Sequence, residues 1–351
     1  MTARGWFWGT VTTVVAVLGL AAVTVWWVDP YFHYRAPRPS LAYELDNQRC
    51  QNDGIVRHFD YQVLVTGSSM TENFKATDVE RLWGLKTVKV PFSGASYREL
   101  RQLVLCAVES NPKLELIIVG LDFNKLIQSP DWMRNDLGVF PEYLYDDNPW
   151  NDIRYLLNRD ALVKAAKAIS HLGKPTSFDD YSCWHTPETQ YGARAVLRDL
   201  TYAPVDGIAQ RAYSDAEKSC VAANIRENLE PIMSCGRKVL FFITPYSAAR
   251  FYAWKLNGQF ERQLQAERQL AEAVAGHPNA RLFSFNARTD ITGNLDNYRD
   301  LDHYGPWVSA KILVWMKDGV GELTSDNLEA SIAAEREVYA HFNFKGLFDK
   351  R

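Results

Sequence analysis

Between residues 61 and 120 the chain alternates short apolar runs with amphipathic ones, and each apolar run stops at a glycine or a polar turn. Residues 61–66, 86–90 and 114–120 read as strands; residues 77–83 and 98–110 read as helices. Strands separated by helix-length segments cannot pair as hairpins. They predict a parallel sheet with helices on both faces, an α/β fold in which functional groups collect beyond the carboxyl ends of the strands. Three candidates fall there, one after each strand: Ser69, Gly94 and Asp122. The pattern resumes with strands at 238–243 and 280–285 and helices at 260–275 and 307–317, and Asp326 is expected to cap a last helix running to about residue 342. Residues 123–235 break the rhythm and are rich in Asp, Asn, Trp and Tyr. They are expected to form a large, mostly helical insertion over the functional edge, with helical patches near 160–172 and 215–233.

A second feature lies at the N-terminus. Residues 6–28 carry no charge and are long enough to span a hydrocarbon core of about 30 Å as a helix. Trp6 and Trp8 at one end and Trp26, Trp27 and Tyr31 at the other stand where interfacial aromatics are expected. A cleaved signal peptide would have a shorter apolar stretch ending in small residues, whereas this one runs through Trp26, Trp27 and Val28. The organisation expected is a cytoplasmic tip at 1–5, a transmembrane anchor at 6–28, a membrane-proximal linker of little regular structure at 29–60, and an outward-facing domain at 61–345. Arg4 before the anchor sets that orientation, with Arg35 and Arg38 beyond it voting the other way. Net charge is −3 and no basic run occurs, so nucleic acid is not an expected partner. Five cysteines lie outside the anchor, none in a spacing that suggests zinc; Cys106, on an amphipathic helix, reads as a small core residue. No cofactor and no metal is expected.

The chemistry-bearing groups are a serine at a strand-to-helix turn and, far downstream, Asp300-Leu301-Asp302-His303. A serine hydroxyl becomes a nucleophile when an imidazole takes its proton and a carboxylate orients that imidazole. The expected roles are Ser69 as nucleophile, His303 as base and Asp300 as its orienting acid. Asp302, adjacent to His303 in an extended loop, should point away. A turn serine or a loop aspartate is more often a cap, so it is the joint occurrence at one sheet edge that points to acyl transfer or ester hydrolysis.

These residues also carry a resemblance. Gly67-Ser68-Ser69, Phe92-Ser93-Gly94-Ala95, Gly120-Leu121-Asp122 and Asp300-Leu301-Asp302-His303 resemble, in order and spacing over residues 60–318, the four blocks of the SGNH (GDSL-like) hydrolases. Closest in style are the membrane-anchored proteins of lipoteichoic acid D-alanylation and exopolysaccharide O-acetylation. The resemblance implies a flavodoxin-like, SGNH-type sheet and a serine acyltransferase or esterase. It implies a cell-surface glycan or teichoic acid as acceptor and a multispanning membrane O-acyltransferase as partner. It makes the Ser69 and Gly94 N–H groups the oxyanion donors. Asp122 stands where the family has asparagine, so the third donor would be a protonated Asp122, Asn124 or Asn73, or would be missing. Ser68 is the second choice of nucleophile, and Glu72 and Asn73 could line the pocket. A non-catalytic glycan-binding scaffold is the alternative from another class.

Overall fold

The computed structural model describes residues 2–136, 139–205 and 207–351. They divide into two compact units, residues 1–60 with 135–177 and residues 61–134 with 178–351.

The second unit holds a six-stranded sheet in the order β2-β1-β3-β4-β5-β6: β1 Val63–Thr66, β2 Thr87–Lys89, β3 Leu116–Leu121, β4 Lys238–Ile243, β5 Ala280–Phe283 and β6 Glu322–Leu323. All pairings are parallel except β5 with β6. β1 and β3 are buried along their whole length, as a strand covered on both faces requires. The chain leaves β1 for β2 in one direction across the sheet and returns from β2 to β3 in the other. Right-handed crossovers then place α1 (Ala76–Trp83) and α2 (Tyr97–Ser110) on opposite faces. α2 starts on a capping box between Ser96 and Glu99. Register aligns the carboxyl ends of β1, β3 and β4, with Thr66 opposite Val119 and Leu121 opposite Ile243. The order reverses between β1 and β3, which opens a crevice at that edge.

Strands β1 to β5 and the helices Phe260–Ala275 and Pro306–Asp318 stand where the sequence pattern put them, while the two-residue edge strand β6 was not expected. The helix expected after Asp326 runs over Leu328–Ala340 and does not start at Asp326; a short helix, Lys345–Phe348, follows it. The N-cap of Leu328–Ala340 is Asn327, whose side chain accepts from Thr324 N–H and donates to the Glu322 carbonyl. An additional helix, Ala248–Leu256, follows β4 and begins on a Ser247 cap.

The first unit changes two expectations. Residues 29–60 are not an irregular linker, since Gln48–His58 forms a helix with most of its residues buried. The expected insertion is not one body either: residues 135–177 pack with the N-terminal segment, while 123–134 and 178–235 belong to the sheet unit. Its main helices are Arg159–Ile169 and a run from Asp215 to Met233 that loosens to a π turn over Asn224–Leu229. The N-terminal helix, Ala3–Val28, is long and apolar enough to cross a membrane, with a mean hydropathy of 2.1. It ends at Asp29, in the left-handed conformation with φ 56°. The buried Asp29 carboxylate gathers the N–H groups of His33, Tyr34 and Arg35 and the hydroxyl of Tyr155. Burial raises its pKa, against the pull of the Tyr155 hydroxyl and the Tyr34 and Arg35 N–H groups. Arg35 and Arg38 donate to the carbonyls of Trp26 and Trp27 and lie over their rings, which gives both arginines a helix-capping use at this end.

Candidate active site

β1 delivers the chain into Gly67, whose φ of +151° and surroundings admit no side chain. A Cβ there would stand 2.6 Å from the Thr71 methyl and 2.9 Å from the Gly120 carbonyl oxygen. A single 3₁₀ turn, Ser69–Thr71, follows. Ser68 is buried and its hydroxyl accepts from Met70 N–H, so it serves the turn. Ser69, by contrast, is partly exposed and its Oγ lies 2.8 Å from His303 Nε2. Of the two serines the structure brings only Ser69 to the imidazole.

The other ring nitrogen, His303 Nδ1, meets the Asp300 carboxylate at 2.9 and 3.0 Å. Asp300 Oδ1 also accepts the backbone N–H groups of Asp302 and His303, folding Asp300–His303 into a tight hook. Burial alone would raise the Asp300 carboxyl, but the bond and charge of His303 and those two N–H groups outweigh it and hold it well below the usual carboxylate range. Burial likewise works against a charged imidazole. The hydrogen bond and charge of Asp300 reverse this and raise His303 above its ordinary 6.5. Asp302 points away, as expected, into a bidentate pair with Arg250 at 2.6 Å on both arms. Ser247 holds the Leu301 carbonyl by its N–H and its hydroxyl, so the hook is fastened to the start of the helix after β4.

The oxyanion expectations divide. Phe92 N–H donates to the Gly67 carbonyl, which lays the Gly94 loop beside the serine turn. Gly94 has φ +62°, and neither its N–H nor that of Ser69 is engaged by another group among the described residues. Asp122 is not available as a donor in this arrangement. It is buried, and its Oδ1 accepts from Thr244 Oγ1 at 3.0 Å and Tyr246 OH at 3.2 Å. Burial pushes its carboxyl up while bonds from Ser68, Thr244 and Tyr246 pull it down. The residue ties the ends of β3 and β4 to the serine turn. Asn73 is also committed: its Nδ2 donates to the Tyr304 carbonyl, and its Oδ1 accepts from His185 N–H and the Cys183 thiol. Asn124 is exposed on the turn after β3. Glu72 is buried, with its carbonyl held by Lys89, and does not line an open pocket.

Trp184, from the Trp- and Tyr-rich stretch 123–235, closes one side. Its indole N–H donates to the Ser69 carbonyl at 3.2 Å, and its ring meets His303 edge to face at 5.7 Å. The Arg299 guanidinium lies over that indole at 4.3 Å and reaches Asp300 Oδ2 at 3.3 Å. Tyr191, bonded to His185, and Trp307 continue the aromatic wall. On the other side, the Arg134 guanidinium packs on Gly94 so closely that a Cβ there would stand 2.2 Å from its Nη1. Neither Arg134, Arg250 nor Arg299 carries a local sequence signal, because each reaches the site from a separate loop or helix.

No family model and no curated protein matches the chain. One solved structure, from Streptococcus pneumonia and provisionally described as a platelet activating factor, is similar over 78% of this chain and 90% of its own. Its identity is 14% and its TM-score 0.36, a likeness that carries nothing about chemistry.

Proposed function

We propose that the protein is a membrane-anchored, outward-facing serine acyltransferase of SGNH type that modifies a cell-surface polysaccharide or teichoic acid through an acyl-Ser69 intermediate. The observation that carries the reading is the unbroken chain from Ser69 Oγ to His303 (2.8 Å) to Asp300 (2.9 Å) at the carboxyl edge of a parallel sheet. The strand order β2-β1-β3-β4-β5 is the flavodoxin-like one, and the four short blocks fall on its loops.

In this mechanism Ser69 Oγ attacks the carbonyl carbon of an acyl donor while its proton passes to His303 Nε2. The carbonyl oxygen becomes an oxyanion facing the N–H groups of Ser69 and Gly94; removing one such donor from an enzyme costs about 3 kcal/mol of transition-state stabilisation. Collapse expels the donor's alcohol or thiol, which takes the proton from His303. An acceptor hydroxyl then gives its proton to His303, attacks the acyl-serine, and leaves carrying the acyl group. Ser69 recovers its proton. An anchor near the bilayer raises the effective concentration of a lipid-linked donor or acceptor, and a multispanning O-acyltransferase would be the supplier of acyl groups. Hydrolysis, with water as acceptor, is the second reading, favoured by the partial exposure of Ser69.

A fluorophosphonate probe should label the wild-type chain and fail on Ser69→Ala, while Ser68→Ala still labels. Labelling that survives loss of Ser69 would end the proposal. Acylated saccharide formed from an aryl acetate then distinguishes transfer from acceptor-independent release of acetate.

A further inference from the structure

On the Asp300 side of the site lies an open groove of about 700 Å³ whose walls carry Arg194, Arg198, Arg299 and Arg351, with Gln190 and Asp300 between them. In a chain of net charge −3 this is a concentrated positive surface. Its neutralisation is incomplete. Arg198 pairs with the exposed Asp199, and Arg299 leans on Asp300, whose charge His303 already uses. Arg351 donates to the carbonyls of Arg198 and Leu200, while the side chain of Arg194 is exposed and has no hydrogen bond or ion pair among the described residues. Surface guanidinium groups ordinarily meet carboxylates; four around one concavity leave a field that selects for anions.

Arg299 links the groove to the aromatic wall. Arg299 stacks on Trp184, and Trp184 touches both His303 and the Ser69 carbonyl, so the positive surface begins one side chain from the reacting hydroxyl. Flat rings next to forked donors suit a sugar ring that carries a carboxylate or a phosphate.

We propose that this groove binds an anionic saccharide or polyol strand, carboxylate- or phosphate-bearing, and lays one of its hydroxyls at Ser69. The assignment deepens the acyltransferase reading and rests on it for the identity of the strand as acceptor.

Binding can be read without chemistry, on full-length Ser69→Ala protein in detergent, by calorimetric titration with oligogalacturonate, oligo(glycerol phosphate) and an uncharged cello-oligosaccharide. At least one anionic strand should bind about tenfold or more tighter than the neutral one and lose most of that margin between low and high salt. Arg194→Gln with Arg198→Gln should weaken it about fivefold or more. Arg194→Lys with Arg198→Lys, which keeps the charge, should recover most of the loss. Lys311→Gln, outside the groove, should change nothing. The stronger of the two anionic strands identifies carboxylate or phosphate as the recognised group. Equal binding of charged and neutral strands, no binding of either anion, or indifference to the arginine pair overturns the assignment. Fluorophosphonate labelling separates the two ideas: labelling without anion binding removes the groove alone, and anion binding without labelling removes the catalytic reading alone.

Discussion

At the scale of single residues the decisive contrast is between neighbours. Ser68 and Ser69 are adjacent and chemically identical, yet one is buried in service of its own turn and the other faces an imidazole. Asp300 and Asp302 divide in the same way, one on His303 and one on Arg250. A base must be neutral to accept a proton. Because Asp300 raises the His303 pKa above 6.5, activity should climb with pH through that raised value, and the acidic limb should lie above an ordinary histidine's. Asp300→Asn removes the cause. Its limb should move to lower pH while kcat falls about 10²-fold or more, since the tautomer is no longer held. A pH–rate profile on an aryl acetate checks both; an unmoved limb in the variant would separate Asp300 from the base.

At the scale of elements, the site depends on how strand ends are tied together. Asp122, on the loop after β3, holds Thr244 and Tyr246 beyond β4. Asp122→Ala leaves three buried hydroxyls, those of Ser68, Thr244 and Tyr246, without this acceptor and should cost about 2–4 kcal/mol in urea unfolding. Asp122→Asn keeps the accepting oxygen and should cost less than about 1 kcal/mol. Equal losses would mean that the charge rather than the acceptor matters. This is also the level at which the sequence was most and least readable. Strands such as Lys238–Ile243 were legible because burial on both faces makes them continuous apolar runs, and helices such as Phe260–Ala275 because one buried face imposes a period on their side chains. The Asp-x-x-His hook was legible because its contacts are three residues apart. The uses of Asp122 and Asn73 were not, since an asparagine or aspartate at a loop looks the same whether it donates to substrate or braces a neighbouring strand. Gln48–His58 was missed because its buried face is polar, with Gln51, Asn52 and Asp53 inside, so no apolar stripe announces it.

At the scale of the whole molecule, two compact units share one chain, and the apolar helix belongs to the first. Most of that helix is exposed, from Trp6 to Trp27, while Val25 and Val28 are buried, the latter against Ala165 and Ala168. Protein lacking residues 2–24 should therefore leave the membrane fraction for the soluble one and still react with fluorophosphonate. Retention on membranes after this deletion would show that another surface makes the attachment. The end of the helix has a further consequence. At Asp29 the chain turns sharply and is clamped by three amides and a phenol, with two arginines gripping the preceding tryptophans. Under the proposed anchoring, such a joint would act as a stiff post rather than a leash, because the clamp at Asp29 gives the chain that exits the helix little slack.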